Sequence, residues 1–213
     1  MKKTLLKWFI ILIFCFVAST FLHEIGHGIS SYAVGNHVST GFNKVGQPYK
    51  KPHDLDFRKG LEADEIPWDM GPTTTLILAV GFTLALIKIK NKNQAIIMII
   101  AAFALCNSLI RLIPMVHSYL GLITKGSFYL EDEIGTGMLW YKLYGLEIMK
   151  YMPSLISIVV SLFCLHFVIK SLQIKLPSLF SKRVYFTTIL IFAYIISFNI
   201  ESRLDNIIRI NWV

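Results

Sequence analysis

An apolar run long enough to cross a bilayer, from about Trp8 to Val34, contains His23-Glu24-Ile25-Gly26-His27. No other feature constrains the chain as much. An apolar stretch of about 18 residues or more reads as a transmembrane helix. A charge at membrane depth is costly, so it marks a site or faces a cavity. Histidines four apart lie on one face of a helix, one turn from each other. Both imidazoles can then reach a single zinc ion, with Glu24 beside them to take a proton from a water that the ion activates. The bland reading is a histidine pair hydrogen-bonded to neighbouring helices, with Glu24 as its counter-charge. Gly26 and Gly28 favour the metal reading, because they thin the helix and let another backbone, or a substrate, approach closely.

Composition supports a membrane setting. Of the 213 residues, 54% are hydrophobic and only 16% are charged, against about 25% charged in a soluble domain. Mean hydropathy is +0.59. The expected class is an all-α integral membrane protein, a single polytopic domain over residues 1–213. Cys15, Cys106 and Cys164 all fall in apolar runs with no Cys-x-x-Cys pair, which suggests buried thiols. The net charge of +8 raises the question of nucleic acid. Its distribution argues against that partner and for the lipid bilayer. Lys2, Lys3, Lys7, Lys88, Lys90, Lys92, Lys170, Lys175, Lys182 and Arg183 flank apolar segments with no acid among them. That is the pattern of cytoplasmic membrane edges. It puts the N-terminus in the cytoplasm and the histidine end of the first helix outside. The expected location is a cell membrane crossed several times. High Ile and Lys content points to an AT-rich bacterial genome.

Five spans are expected, at about 8–34, 72–89, 94–113, 153–170 and 184–200. A cleaved signal peptide is disfavoured, because the first apolar run continues past Val17-Ala18-Ser19 into the His-Glu motif. His23 lies roughly 22 Å beyond Trp8 along the axis, nearer the helix's C-terminal end. Residues 35–70 carry Gly35, Asn36, Gly41, Asn43, Gly46, Pro48 and Pro52 as turn residues. Val38 to Phe42 and Val45 suggest a small β-hairpin in this first long loop. The acids from Asp54 to Asp69 read as solvated. The default is a solvent-facing loop; the sharper reading is an edge strand that holds an extended substrate.

Gly71-Pro72 opens the second span, where proline sacrifices no hydrogen bond. The third contains Asn107, Ser108 and Arg111 before Pro114. Asn107 is either helix–helix glue or a substrate contact. Arg111 is expected to snorkel to the interface, or else to pair with an acid of the site. Residues 115–152 read as a second polar region, with an acidic cluster Glu131-Asp132-Glu133 and then an interfacial helix from Ile134 to Met149. The tail from Glu201 to Val213 reads as amphipathic and superficial.

A catalytic zinc needs three protein ligands and an open position. Counting spans places the loop with Glu131, Asp132 and Glu133 on the same side as the histidine end of the first helix. The acids of residues 54–69 and Glu147 lie on that side too. An acidic cluster at a helix start is favoured by the helix N-terminus in any case.

His23-Glu24-Ile25-Gly26-His27 in an early transmembrane helix resembles the site-2 protease family of intramembrane zinc metalloproteases. Gly71-Pro72 and Asn107…Pro114 follow in that family's order of parts. The chain departs from the pattern at its end: Asn107 and Pro114 are seven apart, and no Asp-Gly follows. The resemblance covers roughly residues 15–135. It implies one zinc per chain, held by His23, His27 and an aspartate whose best match is Asp132, with Glu131 and Glu133 left open. It further implies that Glu24 is the catalytic base and that the substrate is a membrane protein or peptide cleaved in or near its transmembrane segment. Asn107 would then hold the unwound strand. Members of the family open their site toward the cytoplasm, whereas the lysine distribution here favours an outward site. Two alternatives stay open. One is a membrane-embedded zinc protease acting at the bilayer surface with a downstream Glu ligand. The other is a non-catalytic membrane adaptor with a degenerate site. Five spans without paired broken helices disfavour a transporter.

Overall fold

A computed structural model of the chain describes residues 2–46, 69–90, 93–180 and 183–212. Seven α-helices are seen among them: α1 (Lys2–Ala33), α2 (Met70–Lys88), α3 (Gln94–Lys125), α4 (Asp132–Tyr144), α5 (Met152–Lys175), α6 (Pro177–Phe180) and α7 (Arg183–Leu204). Short strands β1 (Val38–Thr40), β2 (Val45–Gly46) and β3 (Ile210–Trp212) form one small sheet in the order β2-β1-β3. Five of the helices are long and apolar enough to cross a membrane. The architecture is that of an all-α, multi-pass membrane protein. The acids from Asp54 to Glu65, with Pro48 and Pro52, lie outside the described residues.

Helix α1 organises the bundle, and α2, α3 and α7 all pack on it. Its buried positions are Trp8, Leu12, Cys15, Phe16, Ser19, His23, Glu24, His27 and Ser31. They recur every three or four residues and so form one stripe. Up to Phe16 the stripe is apolar; from Ser19 onward it is polar and ionisable. The outer faces are apolar instead: Leu6, Ile10 and Phe14 are exposed, as lipid-facing side chains should be. Helix contacts use small residues, which bring backbones together where no hydrophobic gain separates protein from lipid. Thr75, Ala79 and Thr83 line this seam on α2, and Ser154, Ser157 and Ser161 line it on α5.

Glycines of α1 sit where other backbones press in. A Cβ on Gly26 would collide with Thr74 Oγ1 and come within 2.8 Å of the Met70 carbonyl oxygen. One on Gly28 would enter the indole of Trp212. The thinned helix thus seats the start of α2 on one face and the C-terminal strand on another.

The strand pair expected from Val38 and Val45 is present, with Ser39 opposite Gly46 and Thr40 opposite Val45. Its partner on the other side was not expected. The tail, read as superficial, pairs antiparallel with β1, Val38 opposite Trp212. Trp212 Nε1 donates to Thr40 Oγ1 at 2.9 Å. The tail completes a sheet while staying largely exposed, and α7 runs on to Leu204, beyond the expected end at 200.

The third span also exceeds its expected bounds. It runs through Pro114 to Lys125, ending at Gly126 in the left-handed conformation (φ 72°). Proline removes a single N–H and so frees only the carbonyl of Ile110. Neighbouring helices can tolerate that loss inside a bundle. The polar region expected from 115 is consequently shorter, and helix α4 followed by a 3-10 turn (Glu147–Lys150) replaces the single helix expected up to Met149. At 32 residues each, α1 and α3 extend to roughly 48 Å. They outreach a hydrocarbon core of about 30 Å.

Asn107 is fully buried between α1 and α3. Its Nδ2 donates to Ser19 Oγ and to the Phe103 carbonyl, both at 2.9 Å. It is helix–helix glue in this arrangement. Its Oδ1 has no hydrogen-bond partner among the described residues, and the side chain does not line the cavity described below. Asn107→Ala is expected to lower unfolding stability in detergent by about 1 kcal/mol and to leave the α1 site residues in place. Denaturant titration of both proteins measures this.

Candidate metal centre

The stripe on α1 brings His23 and His27 one turn apart, 4% and 3% exposed. Their rings are nearly perpendicular, with centroids 4.7 Å apart. The two Nε2 atoms lie 3.2 Å from each other. Asp132, the first residue of α4, reaches both: its Oδ2 is 2.9 Å from His23 Nε2 and 3.5 Å from His27 Nε2. A tetrahedral ion with bonds of about 2.0–2.2 Å would need ligand atoms about 3.3–3.6 Å apart. Of the three separations, 3.5 Å lies within that range, and 3.2 and 2.9 Å fall short of it, so the three atoms would have to spread slightly around an ion. Two imidazole nitrogens and one carboxylate oxygen also make a chemically apt donor set. His23, His27 and Asp132 are the residues that could hold a metal ion.

The start of α2 packs directly on the histidine pair. A Cβ on Gly71 would collide with His27 Nε2 and with His23 Cε1. Only glycine at this position lets the two rings keep their places. Against the usual pattern, in which a ligating histidine gives its other N–H to an acceptor, His23 Nδ1 has no hydrogen-bond partner.

Asp132 is held in place by its surroundings. Helix α4 begins at it, so the helix N-terminus favours its charge. Arg111 Nη1 lies 3.4 Å from Asp132 Oδ2 and 3.6 Å from Glu133 Oε2. Glu133 is buried and accepts from Ser157 Oγ at 2.7 Å. Burial works to raise the Asp132 carboxyl, but the two imidazoles outweigh it and hold that group well below the usual carboxylate range. Burial raises the carboxyls of Glu133 and Glu131, in both cases against the pull of Arg111. Arg111 was expected to snorkel to the interface. It is instead 5% exposed and turned inward. The reason is that two carboxylates at the start of α4 offer it partners that lipid does not.

The three acids of the cluster are thus separated by their partners. Asp132 faces the histidines and Glu133 faces Arg111 and Ser157. Glu131 lies 3.9 Å from His117 Nδ1, whose ring stacks on Tyr129. Of the three, only Asp132 joins the histidine pair.

A cavity of about 280 Å³ opens beside the cluster, walled by α1, α3, the start of α4 and α7. Thr20, His23 and Glu24 of α1, Arg111 of α3, Glu131 and Asp132 at the start of α4, and Tyr194, Ser197 and Glu201 of α7 line it. Glu24 is 7% exposed. Asn43 of the β1–β2 turn also lines it. That turn is pinned by Asp205, whose Oδ1 accepts from the backbone N–H of Phe42 and, at 3.2 Å, of Asn43. Sequence reasoning missed Glu201 and Asp205 because it ended the last span at 200. Two acids four apart at the end of an apolar run are the signal that would have marked them.

The Arg111 network makes a distinct forecast. Arg111→Leu leaves Glu133 buried without its cation and is expected to destabilise the protein by about 3–5 kcal/mol. Glu133→Gln in the same chain should recover part of that loss. Unfolding of the single and double variants in one detergent measures both.

Compared with protein-family models, with curated proteins and with solved structures, the chain matches none.

Proposed function

We propose that this chain is a zinc-dependent intramembrane endopeptidase that hydrolyses a peptide bond in or near a transmembrane segment of a membrane protein. One observation carries the proposal: Asp132 Oδ2 meets the Nε2 atoms of both His23 and His27 beside a buried glutamate, at the wall of a polar cavity. His23, His27 and Asp132 would hold one zinc. When bound, zinc supplies a Lewis acid that polarises the scissile carbonyl and acidifies a water in the cavity. Glu24 takes a proton from the attacking water and returns it to the leaving amine nitrogen. Arg111 keeps the Asp132 carboxylate turned toward the histidines. Gly71 leaves the room that a side chain would fill. A 280 Å³ cavity admits a short extended stretch of polypeptide, not a helix. The substrate helix therefore unwinds locally, which also frees its carbonyls for attack.

Glu131 and Glu133 are engaged by other partners, which supports Asp132 over either glutamate as the third ligand. The lysine distribution supports an N-terminus in the cytoplasm of a bacterial cell and a site that opens outward.

Elemental analysis of detergent-purified protein should give about one zinc per chain. His23→Ala, Asp132→Ala and Gly71→Ala should each lose it. Glu24→Gln should keep the zinc and hydrolyse a panel of transmembrane peptides about 10²–10⁴-fold more slowly than the wild type. A wild type purified without chelators yet free of zinc would sink the proposal, and so would a Glu24→Gln variant of full activity.

A further inference from the structure

The wall that α7 gives the cavity carries a carboxylate that the proposed chemistry does not use. Glu201 sits near the end of α7, is 4% exposed, and lines the cavity together with Thr20, Tyr194, Ser197 and Phe198. The five spans alternate in direction. The C-terminal ends of α1 and α7 are therefore on the same side, and Glu201 lies at the level of Thr20, one helical turn below Glu24. Its neighbours among the described residues are the Thr20 hydroxyl and, as a like charge, the Asp205 carboxylate; Thr20 Oγ1 itself donates to the Phe16 carbonyl at 3.1 Å. No Lys, Arg or His among the described residues pairs with it. The guanidinium that shares the cavity, Arg111, is engaged by Asp132 and Glu133.

A buried acid in a membrane helix is expensive unless a partner is supplied. An ionised carboxylate offers acceptors only, so its complement is a group rich in N–H donors. Around Glu201 the cavity wall is too poor in ligands for a metal, offering one carboxylate and three hydroxyls. We infer that Glu201 forms a cation-accepting subsite that receives the ammonium or guanidinium of a lysine or arginine side chain on the substrate polypeptide. The inference rests on the endopeptidase reading for the source of that side chain, but the binding itself does not need catalysis. Apolar walls from Phe16, Ile110 and Phe198 would cover the methylene stem of such a residue while its head meets the carboxylate. Glu201 is thereby a specificity-determining residue and takes no part in proton transfer. Its subsite selects membrane segments with a basic residue near the cleaved bond.

The test uses small probes on the full chain in detergent: n-butylammonium and n-butylguanidinium against n-butanol, with dissociation constants from ligand-observed NMR. Both cations should bind about tenfold tighter than the alcohol, the ratio expected for a hydrogen bond to a charged group. Glu24→Gln should keep that preference, and Glu201→Gln should abolish it. Ser197→Lys, one turn before Glu201 on the same helix face, should abolish it too by supplying an internal ammonium, so the test survives if Glu201→Gln does not fold. Equal binding of cations and alcohol to the wild type, or a preference that persists in Glu201→Gln, would overturn the inference. In a parallel arm, N-acetylated transmembrane peptides with one Lys or one norleucine are offered for cleavage. Loss of all cleavage with the cation preference intact would fall on the endopeptidase reading and leave the subsite standing.

Discussion

The contact between the Asp132 carboxylate and two imidazoles of α1 holds the interior together. It joins residues far apart in sequence, and it does so where water is scarce and an unpaired charge is costly. Everything nearby compensates one of its members. Arg111 on α3 sets a positive charge against Asp132 and Glu133. Ser157 on α5 satisfies one oxygen of Glu133. Gly71 on α2 withdraws its side chain from the histidines. Five helices thus meet at one small constellation, and each contributes what its own local chemistry permits.

The bundle is built on a single stripe of α1 that changes character along its length. Trp8, Leu12 and Cys15 pack in an apolar core, which Phe16 extends to the cavity wall, while beyond them the buried face turns polar with Ser19, His23, Glu24 and His27, of which His23 and Glu24 line the chamber. Burial alone does not distinguish the two halves. The apolar half needs only shape, whereas the ionisable half needs partners from other helices, and those partners bring α4 and the end of α7 into the bundle. The small residues in the seams of α2 and α5 serve the same end, since close backbones leave little room for lipid between the helices.

Much of this was legible in the sequence, for local reasons. His23 and His27 announce themselves because helical spacing alone puts them on one face. The five spans and the small hairpin follow from apolar length and turn residues, which are properties of short segments. Asp132 was reachable by counting spans, and only as one of three acids. What separates it from Glu131 and Glu133 is which partner each carboxylate meets, and no segment contains that information. Arg111 was misplaced for the same reason: an arginine near a helix end snorkels unless a buried carboxylate waits for it. Pro114 was taken as a stop because proline ends helices in water, where its lost hydrogen bond has no packing to offset it. Glu201 and Asp205 were assigned to the tail because charge ends an apolar run in any window average.

Strand β3 lies on one side of β1, and residues Trp212 and Thr40, which join them, are 172 positions apart. Translation proceeds from the N-terminus, so β1 emerges long before its second neighbour exists. Through the insertion of all five helices, the turn at Phe42 and Asn43 has no Asp205 to tether it and Gly28 has no indole to seat. The roof over the chamber therefore assembles late, and it closes only after Asp205 and Trp212 have been made. A ribosome that stalls within the final helix would leave that chamber roofless, with its ionisable groups open to whatever lies beside the membrane.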